Sequence, residues 1–229
     1  MDIAFYREAV TQHGVGATLY HAAFRAANRV APVAAWNAIV VTPDTLNHAF
    51  LDRTILSERY QGRLLDAVEM RPYATGSVLG SDCGLTQTFL DEAIEGGDRC
   101  YAFFEGDSLV NYSWYTSRPK RLTEISPAHE LRFDPTWVYT YNHFTHTSHR
   151  GHRLHALGMS AALEQLTKNG HRGFVCYVDS SNLASLKSCA RMGYEVFGHV
   201  ALLKVGRSYV FASSPGCKKY GFRVVKVAS

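Results

Sequence analysis

WVYTYNHFTHTSHRGHRLHALG, residues 137–158, decides how the chain is read. Trp137 to Phe144 is dense in aromatic and β-branched residues and reads as a strand. From Leu154 onward, apolar residues fall at 154, 157, 159, 162, 163 and 166. That is the spacing of an amphipathic helix, and Asn169-Gly170 is a fitting stop. Between strand and helix, five of the chain's eleven histidines stand at every third position from His143 to His155. They cross a strand end (143–145), a loop (146–152) and a helix start (153–155), so their imidazoles point in different directions. A metal would need two or three converging nitrogens with groups to orient them. The helical pair His-Glu-x-x-His is missing, so no metal is expected. An anion suits the place better. A loop that leaves a strand and enters a helix aims unpartnered first-turn N–H groups into one concavity, where the helix dipole adds partial positive charge. Arg150 and Arg153 add two cations, and Gly151 lets a ligand approach the backbone.

Working outward, Gly173 to Val178 is a continuous apolar run, as in a buried strand with a parallel neighbour. Asn182 to Met192 reads as a helix closed by Gly193, followed by strands at 194–204 and 207–212. Upstream, Cys100 to Phe104 and Ser108 to Tyr115 form a hairpin around Glu105-Gly106-Asp107. Leu85 to Ile94 is an amphipathic helix, and Trp36 to Val41 a short strand. Pro43-Asp44-Thr45 has the look of a helix start, and the first thirty residues read as helical with a break at Gly14 and Gly16. The order of elements predicts an α/β fold. We divide the chain into an N-terminal extension (1–85), a core (86–213) and a C-terminal segment (214–229).

Composition sets the limits. In 229 residues, 46% hydrophobic and 12% aromatic, there is enough apolar side chain for a sizeable core. A net charge of +4, with Lys and Arg scattered, gives no basic stripe for nucleic acid. Five cysteines without a Cys-x-x-Cys pair point to reduced thiols and a cytoplasmic protein. Asp2, Arg7 and Glu8 do not suit a signal segment, and the longest apolar stretch, 30–43, is too short to span a membrane.

Ser148-His-Arg-Gly-His-Arg-Leu-His-Ala-Leu, placed between an aromatic strand and an amphipathic helix, resembles the pyrophosphate loop of the GNAT superfamily of N-acetyltransferases. That loop usually reads Arg/Gln-x-x-Gly-x-Gly/Ala. Arg150 and Gly151 match its opening. Arg153 and His155 stand where a glycine and a glycine or alanine are usual. Downstream, Asn182-Leu-Ala-Ser185 through Gly193-Tyr194 is similar to the family's second motif. The resemblance covers about residues 86–213, and it implies a mixed, partly splayed central sheet flanked by helices, with a helical N-terminal extension.

For chemistry, the resemblance implies an acyltransferase that moves an acetyl or other short acyl group from acyl-CoA to a small-molecule amine. The pantetheine arm of acetyl-CoA would pair with His143, Phe144 and Thr145. The N–H groups of Arg150, Gly151, His152, Arg153, Leu154 and His155 would hold the pyrophosphate, and Asn182 and Ser185 would flank the other side. His143, at the strand end with a pKa near neutrality when unperturbed, is the candidate base. Cys189 occupies the position where the family's acid is usually a tyrosine. Aromatic residues Tyr112, Trp114, Tyr115, Tyr139 and Tyr141 lie on strands flanking the acceptor site, although half-buried strands carry such residues as ordinary core. A longer acyl donor on CoA or a carrier protein, and a CoA-binding module without turnover, remain the alternatives. A homodimer is compatible with the sequence; no nucleic-acid or membrane partner is expected.

Overall fold

The computed structural model describes residues 15, 19, 33–51, 59–75, 83–123, 125–206 and 208–227. The helical reading of the first thirty residues lies outside these, apart from Val15 and Leu19, both helical. The fold is α/β, as expected. Its frame is an eight-stranded mixed sheet in the order β10-β9-β1-β8-β7-β4-β3-β2. The strands are β1 (Val33–Val41), β2 (Gln61–Asp66), β3 (Arg99–Glu105), β4 (Ser108–Thr116), β7 (Val138–Thr145), β8 (Phe174–Asp179), β9 (Glu195–Val205) and β10 (Ser208–Ser213). A second sheet, β11-β6-β5, is built from β5 (Lys120–Leu122), β6 (Ser126–Arg132) and β11 (Arg223–Lys226).

Long-range pairing organises the frame. Residues before 86 supply two strands: β2 pairs with β3, and β1 lies between β8 and β9, antiparallel to both. Segment 214–229 reaches the second sheet through β11, which pairs with β6. Pro43-Asp44-Thr45 begins no α-helix. Thr42 and Thr45 exchange backbone–hydroxyl hydrogen bonds across a tight turn, satisfying groups that a helix start would otherwise use.

Each sheet face is covered by different elements. Helix α2 (Leu154–Lys168) packs on one face and buries nine of its fifteen residues, among them Leu154, Leu157, Met159, Leu163 and Leu166. On the other face, helix α1 (Gln87–Gly96) and a 3-10 segment, Ala67–Tyr73, cover β2 to β4 around Trp114 and Phe104. The second sheet covers the other half of that face, around Trp36, Leu131 and Phe222. All five cysteines are unpaired thiols.

The sheet opens at its middle. Strands β7 and β8 run parallel, but their pairing register holds only Val138 with Phe174 and Tyr139 with Val175. Beyond Tyr139 the strands diverge, so β7 from Thr140 to Thr145 keeps one backbone edge unpaired by β8. A bulge accompanies the split: the β4–β7 register shifts between Tyr112 and Trp114, with Asn142 at φ 46°. Such a bulge re-aims the side chains that follow it. It puts Thr140 and His143 on the α2 face, and Tyr139, Tyr141 and Phe144 on the opposite one.

Candidate functional site

Among the described residues, the three complete α-helices begin differently. Thr86 caps α1, its hydroxyl accepting from the Phe89 N–H at 3.2 Å. Asn182 caps α3 (Leu183–Met192), its Oδ1 accepting from the Ser185 N–H at 3.1 Å. Helix α2 has no side-chain cap: Arg153 stands there in the left-handed region at φ 57°, after Gly151 at φ 87°. Among the described residues, the backbone N–H groups of residues 151–156 find no hydrogen-bond acceptor; the first to do so is that of Leu157, on the Arg153 carbonyl. The first turn of α2 holds no acidic residue, while Arg150 and Arg153 bring cations to the positive end of the helix dipole. Such a grouping is unfavourable alone and favourable around an anion. Both arginines are exposed and anchored: Arg150 Nε donates to the Thr145 carbonyl at 3.3 Å, and Arg153 Nη1 to the Phe50 carbonyl at 3.1 Å.

The five histidines fall into two clusters. His146, His149 and His152 surround a 3-10 turn, Thr147–His149, whose three-residue period aligns every third side chain. His149 is buried; its Nδ1 lies 3.1 Å from the Tyr60 hydroxyl and its Nε2 3.9 Å from Glu105, which also pairs with Arg59. The rings of His146 and Tyr60 pack against the His149 ring, and His152 packs on Tyr60. This cluster ties the loop to the tip of the β3–β4 hairpin. Glu105 therefore has neighbours that a solvated turn residue would lack. No group of three or more His, Cys, Asp or Glu among the described residues is arranged to hold a metal ion.

His143 and His155 form the second cluster. Their rings meet edge to face with centroids 4.7 Å apart. His143 Nε2 lies 3.4 Å from the Thr140 hydroxyl, and His155 Nδ1 3.3 Å from that of buried Ser113. His143 touches solvent, yet the protein packed around its ring, and secondarily the His155 imidazole, hold its pKa well below 6.5. Burial lowers His155 to about 4. Both imidazoles are neutral at pH 7. Ser113 and Thr140 were invisible to the sequence reading, because only the bulge at Asn142 brings them beside the histidines.

The other expected residues are less concentrated. The Phe144 ring turns away from the histidines and stacks on Tyr112 at 5.4 Å, while its carbonyl and the Thr145 hydroxyl accept from the Asn111 amide at 2.6 and 2.8 Å. Asn182 and Ser185 spend their mutual contact on capping α3. Cys189 is half-buried, packed between both main core clusters, and burial pushes its thiol up to about 11. Of the five strand aromatics, Tyr112, Trp114, Tyr115 and Tyr139 are core.

Tyr139 and Tyr141 line a cleft of ≈ 310 Å³, which Thr140, Asn142 and His143 share. The cleft lies where β7 leaves β8, between α1 and the second sheet. A buried carboxylate stands behind it. Asp98, 3% exposed, binds Lys120 Nζ at 3.1 Å and accepts a hydrogen bond from the Tyr141 hydroxyl. Lys120 Nζ also lies 3.0 Å from that hydroxyl. Burial first, then Asp98, raises the Tyr141 pKa. No sequence motif marks this triad; its members come from three separate elements.

The architecture is that of the GNAT N-acetyltransferases. A tandem GNAT protein from the clavulanic acid biosynthesis pathway superposes with a TM-score of 0.51 at 19% identity, over 85% of this chain and 58% of that one. A GCN5-related N-acetyltransferase-like protein from Streptococcus suis matches with a TM-score of 0.48 at 13% identity, over 82% and 67% of the two chains. A GCN5-related N-acetyltransferase from Kribbella flavida matches with a TM-score of 0.45 at 14% identity, over 75% and 58%. The chain thus spans less than two thirds of the tandem protein and of the Kribbella protein. No family model and no curated protein matches the sequence. No helix among the described residues is long and apolar enough to cross a membrane.

Proposed function

We propose that this chain, on its GNAT fold, is an acyl-CoA-dependent N-acyltransferase that moves an acetyl or similarly short acyl group to a small amine. One observation carries the reading: among the described residues, six successive N–H groups, 151–156, find no acceptor at the start of α2, flanked by Arg150 and Arg153. A pyrophosphate supplies the acceptors and the negative charge that this end lacks. The unpaired edge of β7 from Thr140 to Thr145 leads from the loop to the cleft, and offers backbone partners to the amide groups of a pantetheine arm. Bound acyl-CoA would supply the activated thioester.

In the reaction the amine nitrogen forms a bond to the acyl carbon, the carbon–sulfur bond breaks, and the amine loses a proton. His143 lines the cleft and is neutral at pH 7, so it takes that proton. Its depressed pKa lowers its strength as a base but keeps it unprotonated. Cys189 occupies the acid's place in the motif. With a pKa of about 11, its proton moves uphill to a thiolate of ordinary basicity (pKa ~8.5), by roughly 2–3 pKa units or ~3–4 kcal/mol. Solvent at the cleft therefore competes as the thiolate's proton source. A cleft of ≈ 310 Å³ suits a small acceptor with a short acyl group rather than an acceptor plus a long chain.

Calorimetric titration with acetyl-CoA and with CoA, on wild type and on Arg150→Ala, tests the reading. Micromolar binding, weakened roughly tenfold by Arg150→Ala, is the expected result. Absence of binding by both ligands overturns it.

A further inference from the structure

The cleft's walls carry chemistry that the reading above leaves unused. Tyr139 and Tyr141 lie 5.9 Å apart with their planes 7° from parallel, and Tyr177 continues the series 6.3 Å from Tyr139 at 30°. Trp36 stacks behind Tyr177 at 4.2 Å, which fixes that ring from below. Phe89, projecting from α1, stands 6.1 Å from Tyr141 at 55° and is braced edge-on by Trp114. The three near-parallel rings face one another, with Lys120 over Tyr141, and together with the oblique Phe89 they line the cleft. Their rims and the Phe89 wall pack against a flat apolar body by edge-to-face contact.

Charge narrows the choice. Lys120, Arg121 and Glu92 line the cleft, and Asp98 lies behind Lys120. Two cations and two carboxylates sum to no surplus of acid. The Lys120 charge is already matched by Asp98, and its ammonium covers the Tyr141 face at 4.3 Å. A polyamine or an amino-sugar with several ammonium groups would need excess carboxylate here, and would meet Lys120 and Arg121 instead. The volume sits at the low end for ligand sites, which range over ~300–1,000 Å³. It holds a small molecule rather than a folded protein's lysine with its flanking chain.

We infer that the acceptor is a small monoamine bearing a flat, ring-type apolar body, one ring or a fused pair, with the amine on a short arm. The ring lies among Phe89, Tyr139, Tyr141 and Tyr177, and the amine points toward His143 at the split between β7 and β8. This rests on the acyltransferase reading for the reaction, but the binding of the amine can be measured without it.

The test has two arms. In the first, 2-phenylethylamine, tryptamine, hexylamine and spermidine are titrated by ligand-observed NMR against the protein alone and with CoA. In the second, thiol release from acetyl-CoA is followed with the same amines on wild type, Phe89→Leu and Tyr177→Leu. The two aryl amines are expected to bind, with kcat/KM roughly tenfold or more above hexylamine and spermidine. Each variant is expected to raise their KM roughly tenfold while the KM for acetyl-CoA stays unchanged. Preference for spermidine, or an aryl-amine KM that neither variant moves, overturns the inference. If acetyl-CoA does not bind but the aryl amines do, in a Phe89-dependent way, the acyltransferase reading fails and the ring site stands.

Discussion

The His143 and His155 imidazoles meet edge to face, 4.7 Å between centroids, although one belongs to strand β7 and the other to helix α2. Each is held by a hydroxyl from the sheet, Thr140 for His143 and Ser113 for His155. Two imidazoles this close cannot both be protonated cheaply, and the packing around them opposes the first proton as well. The pair keeps a neutral nitrogen beside the cleft at physiological pH.

That neutrality has a cost at low pH. In the unfolded chain both histidines titrate near 6.5, and in the fold His155 does so at about 4. Between these values the unfolded chain binds more protons, so stability is fully present above about pH 6.5 and is lost as pH falls toward 4. For His155 the loss at pH 5 is about 1–2 kcal/mol, with the partial exposure of its side chain favouring the lower figure. Thermal unfolding from pH 8 to 4.5 should show a smaller fall in Tm for His155→Gln than for wild type. Parallel curves would remove His155 as the source of the acid sensitivity.

Gly151 shows why the loop needs its glycine. Its φ is +87°, yet apart from its chain neighbours no atom of the described residues lies within 4 Å of where a Cβ would be. Gly151→Ala therefore meets backbone strain and no clash, with a stability cost of about 1 kcal/mol. The open space is the approach to the N–H groups that follow. We expect acetyl-CoA affinity to fall by roughly tenfold, more than the loss of stability would suggest. Calorimetry beside thermal unfolding checks this; equal binding by wild type and variant would take Gly151 out of the site.

Much of the core could be read locally because local rules governed it. The α2 periodicity, the Glu105-Gly106-Asp107 turn and the apolar run of β8 each carry their own signal. The cationic, glycine-bearing character of the loop was legible too, since Arg150, Gly151 and Arg153 sit together in sequence. What escaped was fixed by partners far away. Strand β2 opens on polar residues with Gly62 second, where Phe103 leaves no room for a side chain: a Cβ there would lie 2.5 Å from its ring. Strand β6 contains Pro127, and β5 has only three residues. The cleft triad joins Asp98, Lys120 and Tyr141 through tertiary contact alone. The every-third histidines misled in another way: a 3-10 turn collects three of them around Tyr60, leaving His143 at the cleft with His155 packed against it.

Cys189 offers a sharp contrast with His143. Burial pushes its thiol up to about 11, so it stays protonated through the neutral range and parts with its proton reluctantly. Cys189→Ala should keep kcat within about threefold of wild type in a thiol-release assay. Alkylation by iodoacetamide at pH 8 should be slower in the folded protein than in denaturant, as only the thiolate reacts. A hundredfold fall in kcat with KM unmoved would instead make Cys189 the acid.

Gly193, which closes α3, is held by contact as well as by conformation. Its φ is +100°, and a Cβ there would fall 2.1 Å from the Thr45 carbonyl and 2.9 Å from the Asn47 nitrogen. The turn cannot retreat easily. The Asn47 N–H donates to the Met192 carbonyl at 3.2 Å, and its side-chain amide to the Arg191 carbonyl at 3.0 Å. Gly193→Ala must strain the left-handed backbone and push these segments apart, together about 3 kcal/mol or more. For a chain of this size the melting temperature should drop by roughly 6–12 °C. Asn47→Ala, which removes the amide donor and the Oδ1 that accepts from the Phe50 N–H but no backbone contact, should cost about 1–2 kcal/mol. A Gly193→Ala protein that melts with wild type would show that the turn at 45–47 does not sit on the end of α3.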